Sequence, residues 1–340
     1  MDTPNHRITD SEVVHSHTTL TVLTHANLVA IHLDRADLHD TPLDTQYTQH
    51  LESFTTNDEI IDPDEDLPDD DEQFEDFCDW IIQPCAALMR RLAPVQRENG
   101  ITLQQFGYAP LHCLKLVPDS NDRLTAVHVE SSSFKNSLPT EPVENLCLPP
   151  SVQRISATQA LILPRPNTNY DHTCDVPDRV HISGQDMFFK PITTTTDFSR
   201  EVMKLHRMAE LGLPGRINVP ELFGVVVLED GVSVIGMLLD WMPFGARTLW
   251  RNEFRQMEDM HAKWEGQAYD IVGKLHAVDI VWGDVNPGNM VIDFDFNLWI
   301  VDFGGGFIDG FVDRRLAGTK QGDLEGIKGI FHRWIQSNDL

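Results

Sequence analysis

Residues 280–307, IVWGDVNPGNMVIDFDFNLWIVDFGGGF, constrain the fold more tightly than any other part of the chain. MVID and LWIV are short β-rich runs, and the turn at residues 294–297 between them predicts a hairpin. A hairpin brings its outer ends together. Asn289, just before the first run, and Asp302, just after the second, are therefore expected to meet. Asp284 lies five residues before Asn289 on the preceding loop and can reach the same point.

Two carboxylates and an amide oxygen converging in a loop-lined cleft are hard oxygen donors. They suit Mg²⁺, which is held by one or two carboxylates and shared with substrate phosphates. Phosphoryl transfer needs such a set: an aspartate to orient the attacking hydroxyl and accept its proton, and metal ligands to neutralise charge on the transferred group.

Asp284-x₄-Asn289 followed by Asp302-Phe303-Gly304 resembles the catalytic and metal loops of protein-kinase-like enzymes. The local form WGDVNPGN is similar to aminoglycoside phosphotransferases and choline-kinase-like small-molecule kinases. With VDFGGGFIDGFVDRRLAGTKQGDLEGI and the upstream DFCDWIIQPC, the whole pattern also resembles fungal proteins carrying a protein-kinase-like domain. The resemblance implies an α+β chain with a protein-kinase-like two-lobe fold: an antiparallel β N-lobe over residues 150–242 and a mainly helical, truncated C-lobe over 243–340, preceded by an α+β extension. It implies ATP and Mg²⁺ as cofactors, Asp284 as general base, and Asn289 and Asp302 as metal ligands. Lys190 in MFFKPI would contact the ATP phosphates and Glu201 in the next helix would pair with it. Leu239, Asp240, Trp241 and Met242 would form the hinge against which adenine stacks. Asp323 would brace the catalytic loop from a later helix, unless it simply caps that helix.

Several parts of that pattern differ. No glycine-rich phosphate loop precedes Lys190, and PRPNTNYDHTCDVP stands in its place. Trp282 and Gly283 replace the usual histidine and arginine, so control by activation-loop phosphorylation is not expected. Asn286 occupies the position of a lysine found in Ser/Thr kinases, and the late helices of a peptide-docking lobe are not expected. Two function classes compete. One is a phosphotransferase acting on a hydroxyl of a small molecule or protein, supported by the intact Asp284, Asn289 and Asp302. The other is a pseudokinase-type scaffold that binds a nucleotide or a partner without catalysis.

The rest of the chain reads as follows. Residues 1–57 form an N-terminal β-hairpin region with a frayed start, the hairpin turning at His25-Ala26-Asn27. Residues 58–73 are an acidic linker within DEIIDPDEDLPDDDEQFEDFCD, a solvated stretch at 58–79 that would suit a basic protein partner. Over 74–149 an amphipathic helix through Phe74, Phe77, Ile81, Leu88 and Leu92, kinked at Pro84, precedes β elements. HCLKLV, TAVHVE, QALILP, RVHIS and MFFKPI predict antiparallel hairpin strands. Asp197 is expected to cap a helix ended by Gly212, two buried strands flank Glu229-Asp230-Gly231, and Trp264, Ala268, Ile271, Val272 and Leu275 share a helical face.

A formal net charge of -27 disfavours nonspecific binding to nucleic acid or anionic membranes. Five cysteines without a CxxC spacing suggest neither a disulfide framework nor a zinc site. No spanning segment or secretion signal is expected, which makes a cytoplasmic location the simplest and a nuclear one compatible.

Overall fold

The computed structural model describes residues 3–54, 72–94, 100–163, 176–242 and 247–336. The chain is a mixed α+β protein in two units, one of Met1–Leu138 with Ala160–Pro177, the other of Pro139–Gln159 with Asp178–Leu340.

The first unit is built on a sheet ordered β1 (Arg7–Val14), β2 (His17–Thr24), β3 (Asn27–Asp34), β4 (Tyr108–Pro118) and β5 (Leu124–Asn136). The predicted hairpin is present. β2 and β3 pair antiparallel from His17↔Asp34 to Thr24↔Asn27, and the two turn residues, His25 and Ala26, both have positive φ, as a twist-matched two-residue turn requires. The expected frayed start is corrected, because residues 7–14 pair antiparallel with β2. RITDSEVV reads as polar because β1 is an edge strand from which Ile8 and Val13 alone are packed against the core cluster.

β3 and β4 run parallel, against the expectation that HCLKLV belongs to antiparallel pairs only. A parallel neighbour needs a long crossover. Residues 35–107 supply it and carry α1 (Pro42–Phe54), α2 (Glu72–Ile82), α3 (Ala86–Leu92) and α4 (Leu103–Gly107). Tyr47, Phe77, Ile81, Cys85 and Met89 from this crossover close one core with Leu20, Val29, Ile31 and Leu114 of the sheet. Pro84 interrupts the amphipathic stretch as predicted, with a 3-10 turn at Gln83–Cys85 between α2 and α3. Residues 72–79 are helical rather than solvated loop; residues 55–71, which hold most of the acidic linker, lie outside the described residues.

The second unit begins with β6 (Glu141–Pro142) and β7 (Arg154–Ser156), after which the chain returns to the first unit for the short β8 (Leu161–Ile162), the part of QALILP that is a strand. The expected proline-bearing turn falls mostly at 164–175, outside the described residues. Then come β9 (Arg179–Ile182), β10 (Gln185–Pro191), α5 (Thr195–Glu210), β11 (Leu222–Val227) and β12 (Ser233–Asp240). These strands lie in the order β7-β11-β12-β10-β9, with β6 alongside β12. β9–β10, β10–β12 and β11–β12 are antiparallel as predicted, whereas β7 joins β11 in parallel.

The cap of α5 is corrected. Thr194 stands at the N-cap, its Oγ1 accepting the Asp197 N–H at 3.2 Å, and Asp197 sits in the first turn, where a carboxylate suits the positive end of the helix. Gly212 follows the C-cap as expected, and the Leu213 N–H closes onto the Met208 carbonyl at 3.0 Å in a Schellman arrangement. Beyond β12 lie β13 (Arg247–Thr248), α6 (Asn252–Arg255), α7 (Glu258–His276), β14 (Met290–Ile292), β15 (Leu298–Ile300) and α8 (Lys320–Gly329). The buried face of α7 is the predicted set Trp264, Ala268, Ile271, Val272 and Leu275. Among the described residues, no helix is long and apolar enough to cross a membrane.

Candidate functional site

β14 and β15 pair antiparallel, Met290↔Ile300 to Ile292↔Leu298, closed by a turn in which Asp293 Oδ1 accepts the N–H groups of Asp295 and Asn297. The ladder runs one step further, because the Val301 N–H donates to the Asn289 carbonyl at 3.0 Å. Asn289 and Asp302 thus flank the open end of the hairpin. Asp302 has φ +59, an uncommon backbone state for a non-glycine residue and one that sites of function tend to hold.

Asp284 is fastened to the same place by two amides. Asn289 Nδ2 donates to its Oδ2 at 2.8 Å and to its carbonyl at 3.1 Å, and Asn286 Nδ2 donates to its Oδ1 at 3.2 Å. Asn286 in turn accepts the Gly288 N–H at 2.9 Å, which shapes the 3-10 turn Pro287–Asn289 and so aims Asn289 back at Asp284. Burial raises the pKa of Asp284 above the usual carboxylate range, and the Asp302 charge adds to this; the two amides and Lys190 oppose it.

From the other side comes Lys190 on β10. Its Nζ lies 2.7 Å from Glu201 Oε2 and 3.0 Å from Asp302 Oδ1, joining a strand, a helix and the hairpin end. Glu201 is 3% exposed, and the Phe303 N–H reaches its Oε1 at 3.5 Å. Burial works against the Lys190 ammonium, but Glu201 and Asp302 outweigh it and raise its pKa. Burial also raises Glu201, while Lys190 pulls it down. The two directions pull apart; the contact at 2.7 Å, with a second carboxylate on the same ammonium, makes this an ion pair at neutral pH.

The loop that carries Asp284 is braced by Asp323 as expected, the cap of α8 being Thr319 instead, and is tied down by Trp282, whose part was less legible. Asp323, 1% exposed near the start of α8, accepts the N–H groups of Trp282 and Gly283 at 2.9 and 2.8 Å and faces His276 Nε2 at 2.8 Å. Trp282, fully buried, donates Nε1 to the carbonyls of Val301 and Asp302 at 3.0 and 3.1 Å. The indole therefore ties the Asp284 loop to the Asp302 loop. Sequence reasoning treated Trp282 and Asn286 as replacements; the signal that could have found them is their position within two residues of Asp284.

The glycine run after Phe303 follows from close approach. A Cβ on Gly305, which has φ +83, would meet Arg200 Nη1 at 2.5 Å, and one on Gly306 would lie 2.8 Å from the Asp284 carboxylate. A shallow surface hollow lined by Gly306, Phe307, Ile308, Val312 and Gly318, with room for about one water molecule, reaches Asp284.

The hinge candidates are placed differently. Lys190 pairs across the sheet with Met237 on β12, and Leu239 and Asp240 close that strand, roughly 10 Å along at a rise of 3.3 Å per residue. Trp241 and Met242 follow. The Trp241 ring meets Phe188 at 6.5 Å with the Arg179 guanidinium 5.3 Å from its centroid, and Asp240 accepts the Glu221 N–H at 2.7 Å. Burial raises Asp240's pKa. The structure thus gathers Lys190, Glu201, Asp284, Asn289 and Asp302 at one point, with Leu239–Met242 on the adjoining strand end.

Among the described residues, no group of three or more His, Cys, Asp or Glu side chains is arranged to hold a metal ion. A cation shared with a substrate does not need one. Asn289 gives its NH₂ to Asp284, so its amide oxygen is not used in that pairing, and Asp302 uses Oδ1 on Lys190. One amide oxygen and one carboxylate are a donor set that fits Mg²⁺ only when substrate oxygens complete it. No family model matches the chain and no curated protein matches it either, so what the site can do is read from its own geometry.

Proposed function

We propose that the protein is an ATP- and Mg²⁺-dependent phosphotransferase with a protein-kinase-like two-lobe arrangement in its second unit, transferring a phosphoryl group to a hydroxyl of a small molecule or protein. The observation that carries this reading is the Lys190 ammonium held at once by Glu201 and Asp302, facing a loop on which Asp284 and Asn289 are hydrogen-bonded. The finer fold reading rests on the order of parts: a mainly antiparallel sheet bearing Lys190, a helix bearing Glu201, then helix α7 and the hairpin.

In this reading Asp284 orients the acceptor hydroxyl and takes its proton as the new O–P bond forms and the bond to the leaving diphosphate oxygen breaks. Its raised pKa makes it a better base than an exposed aspartate. Lys190, aimed by Glu201, offers its ammonium to the phosphates. Asn289 and Asp302 would hold Mg²⁺, which when bound neutralises charge on the phosphates.

A nucleotide-binding scaffold without catalysis is the second reading, and one observation favours it. Both Asp284 oxygens already accept amide hydrogen bonds and Gly306 closes over the carboxylate, so little of the base is open to an acceptor. Calorimetric titration with ATP, with and without Mg²⁺, tests the shared part. Binding that requires Mg²⁺ and vanishes in Asp302→Asn is expected, and no binding in any condition overturns both. Turnover in the wild type that Asp284→Ala abolishes, with nucleotide still bound, then separates enzyme from scaffold.

A further inference from the structure

Helix α5 places three neighbouring side chains on three different parts of the site. Glu201 takes Lys190 of β10, Arg200 Nη1 donates to the Gly304 carbonyl, and Lys204 Nζ donates to the Trp282 carbonyl at 3.1 Å. The first of these belongs to the phosphate clamp. Lys204 has no part in that clamp, and a lysine in the middle of an amphipathic helix would ordinarily send its ammonium into water.

Here it does not. Lys204 is half-buried, and burial, with Arg200 adding to it, lowers its pKa, so the ammonium is kept at the Trp282 carbonyl against a desolvation penalty. Where it ends matters more than that penalty. Trp282 stands two residues before Asp284, its N–H is held by Asp323 and its indole by Val301 and Asp302. The carbonyl is the remaining polar group of that residue, and Lys204 holds it. A cation on the carbonyl and a carboxylate on the flanking N–H groups fix the peptide plane from which the Asp284 loop departs.

We infer that Lys204 is a positioning residue: it moors the Asp284 loop to α5, so that the helix that aims Lys190 also sets where the general base stands. The inference deepens the phosphotransferase reading and rests on it for its effect on rate, but the mooring itself is measurable without any activity. Its physical basis is the sensitivity of transfer to placement, where a displacement of about 1 Å lowers the rate on the order of a hundredfold.

The test compares Lys204→Met, which keeps the bulk and removes the donor, with Lys204→Arg, which restores a cationic donor. Steady-state kinetics at saturating ATP·Mg²⁺ and amide hydrogen exchange over residues 281–289 are measured on the full chain. For Lys204→Met we expect kcat to fall roughly tenfold to a hundredfold, KM for the nucleotide to stay unchanged, and the amides of Gly283, Asp284 and Val285 to exchange faster, with Lys204→Arg recovering most of both. A purely structural lysine would lower the melting temperature and leave the kcat of the folded fraction intact. Unchanged exchange and unchanged kcat in Lys204→Met overturn the inference, as does a rise in nucleotide KM with kcat unaltered. If the wild type transfers no phosphoryl group, the activity reading fails by itself, and the exchange comparison alone decides the mooring. Should Lys204→Met not fold, Lys204→Gln replaces it with the same expectations.

Discussion

At the scale of single residues, the space above the Asp284 carboxylate is set by what Gly306 lacks. A Cβ there would stand 2.8 Å from the carboxylate carbon and both of its oxygens, closer than any relaxed contact, and the carboxylate cannot yield without breaking its bonds to Asn286 and Asn289. Gly306→Ala is therefore expected to displace the Asp284 carboxylate, the proposed base, while leaving Lys190, Glu201 and Asp302 in place. Turnover should fall on the order of a hundredfold with nucleotide affinity little changed. Single-turnover kinetics beside a nucleotide titration checks this, and equal losses in both would mean that the glycine supports the whole cleft.

Between elements, the joint of β10 to α5 is the ion pair of Lys190 with Glu201, and it makes a prediction about stability with a definite sign. In Lys190→Met the carboxylate of Glu201 stays buried without its ammonium. Burial and the Asp302 charge, which already raise its pKa, then act with their main opponent gone, and the folded-state pKa rises further. A group whose folded pKa exceeds its unfolded value contributes stability that is present below the unfolded pKa and lost as pH rises through the folded one. The variant should come close to the wild type in acid, where Glu201 is protonated, and fall behind by about 3–5 kcal/mol at neutral pH. Denaturation midpoints at acid and neutral pH check it; a gap that narrows as pH rises would show that Glu201 is not the group left unpaired.

The same elements show what a sequence carries. The face of α7 was legible because five apolar residues repeat with the helical period over a long segment, and nothing distant alters that count. The ends of the β14–β15 hairpin were legible because the turn is local, which is why Asn289, Asp302 and Asp284 could be set together in advance. The cap of α5 was misplaced by three residues, since Thr194 and Asp197 are both capping types and only the extended backbone of Thr194 (φ -122, ψ 148) distinguishes them. The parallel pairs β3–β4 and β7–β11 were beyond reach because their partners are far apart in sequence, and β1 was missed because an edge strand needs few apolar residues. Trp282 was legible as a departure and illegible as a tie, because its indole reaches carbonyls 19 and 20 residues away.

For the whole molecule, the chain alternates between two units, lending Pro139–Gln159 to the second and Ala160–Pro177 to the first. Residues 139–159 give the second unit β6, β7 and the core residue Leu146, so a cut before Asp178 would strip β11 of its parallel neighbour. A cut before Pro139 leaves the second unit whole. Every residue of the site, the braces Asp323, Trp282 and Lys204, and the core from Leu146 to Ile335 then remain on one fragment. The fragment of residues 139–340 is accordingly expected to unfold in one cooperative transition and to bind ATP·Mg²⁺ with the affinity of the full chain, while a fragment starting at residue 178 should lose cooperativity. Thermal unfolding and calorimetry on both fragments check this. A cooperative 139–340 fragment that fails to bind where the full chain binds would mean that the proposed nucleotide binding needs residues outside 139–340.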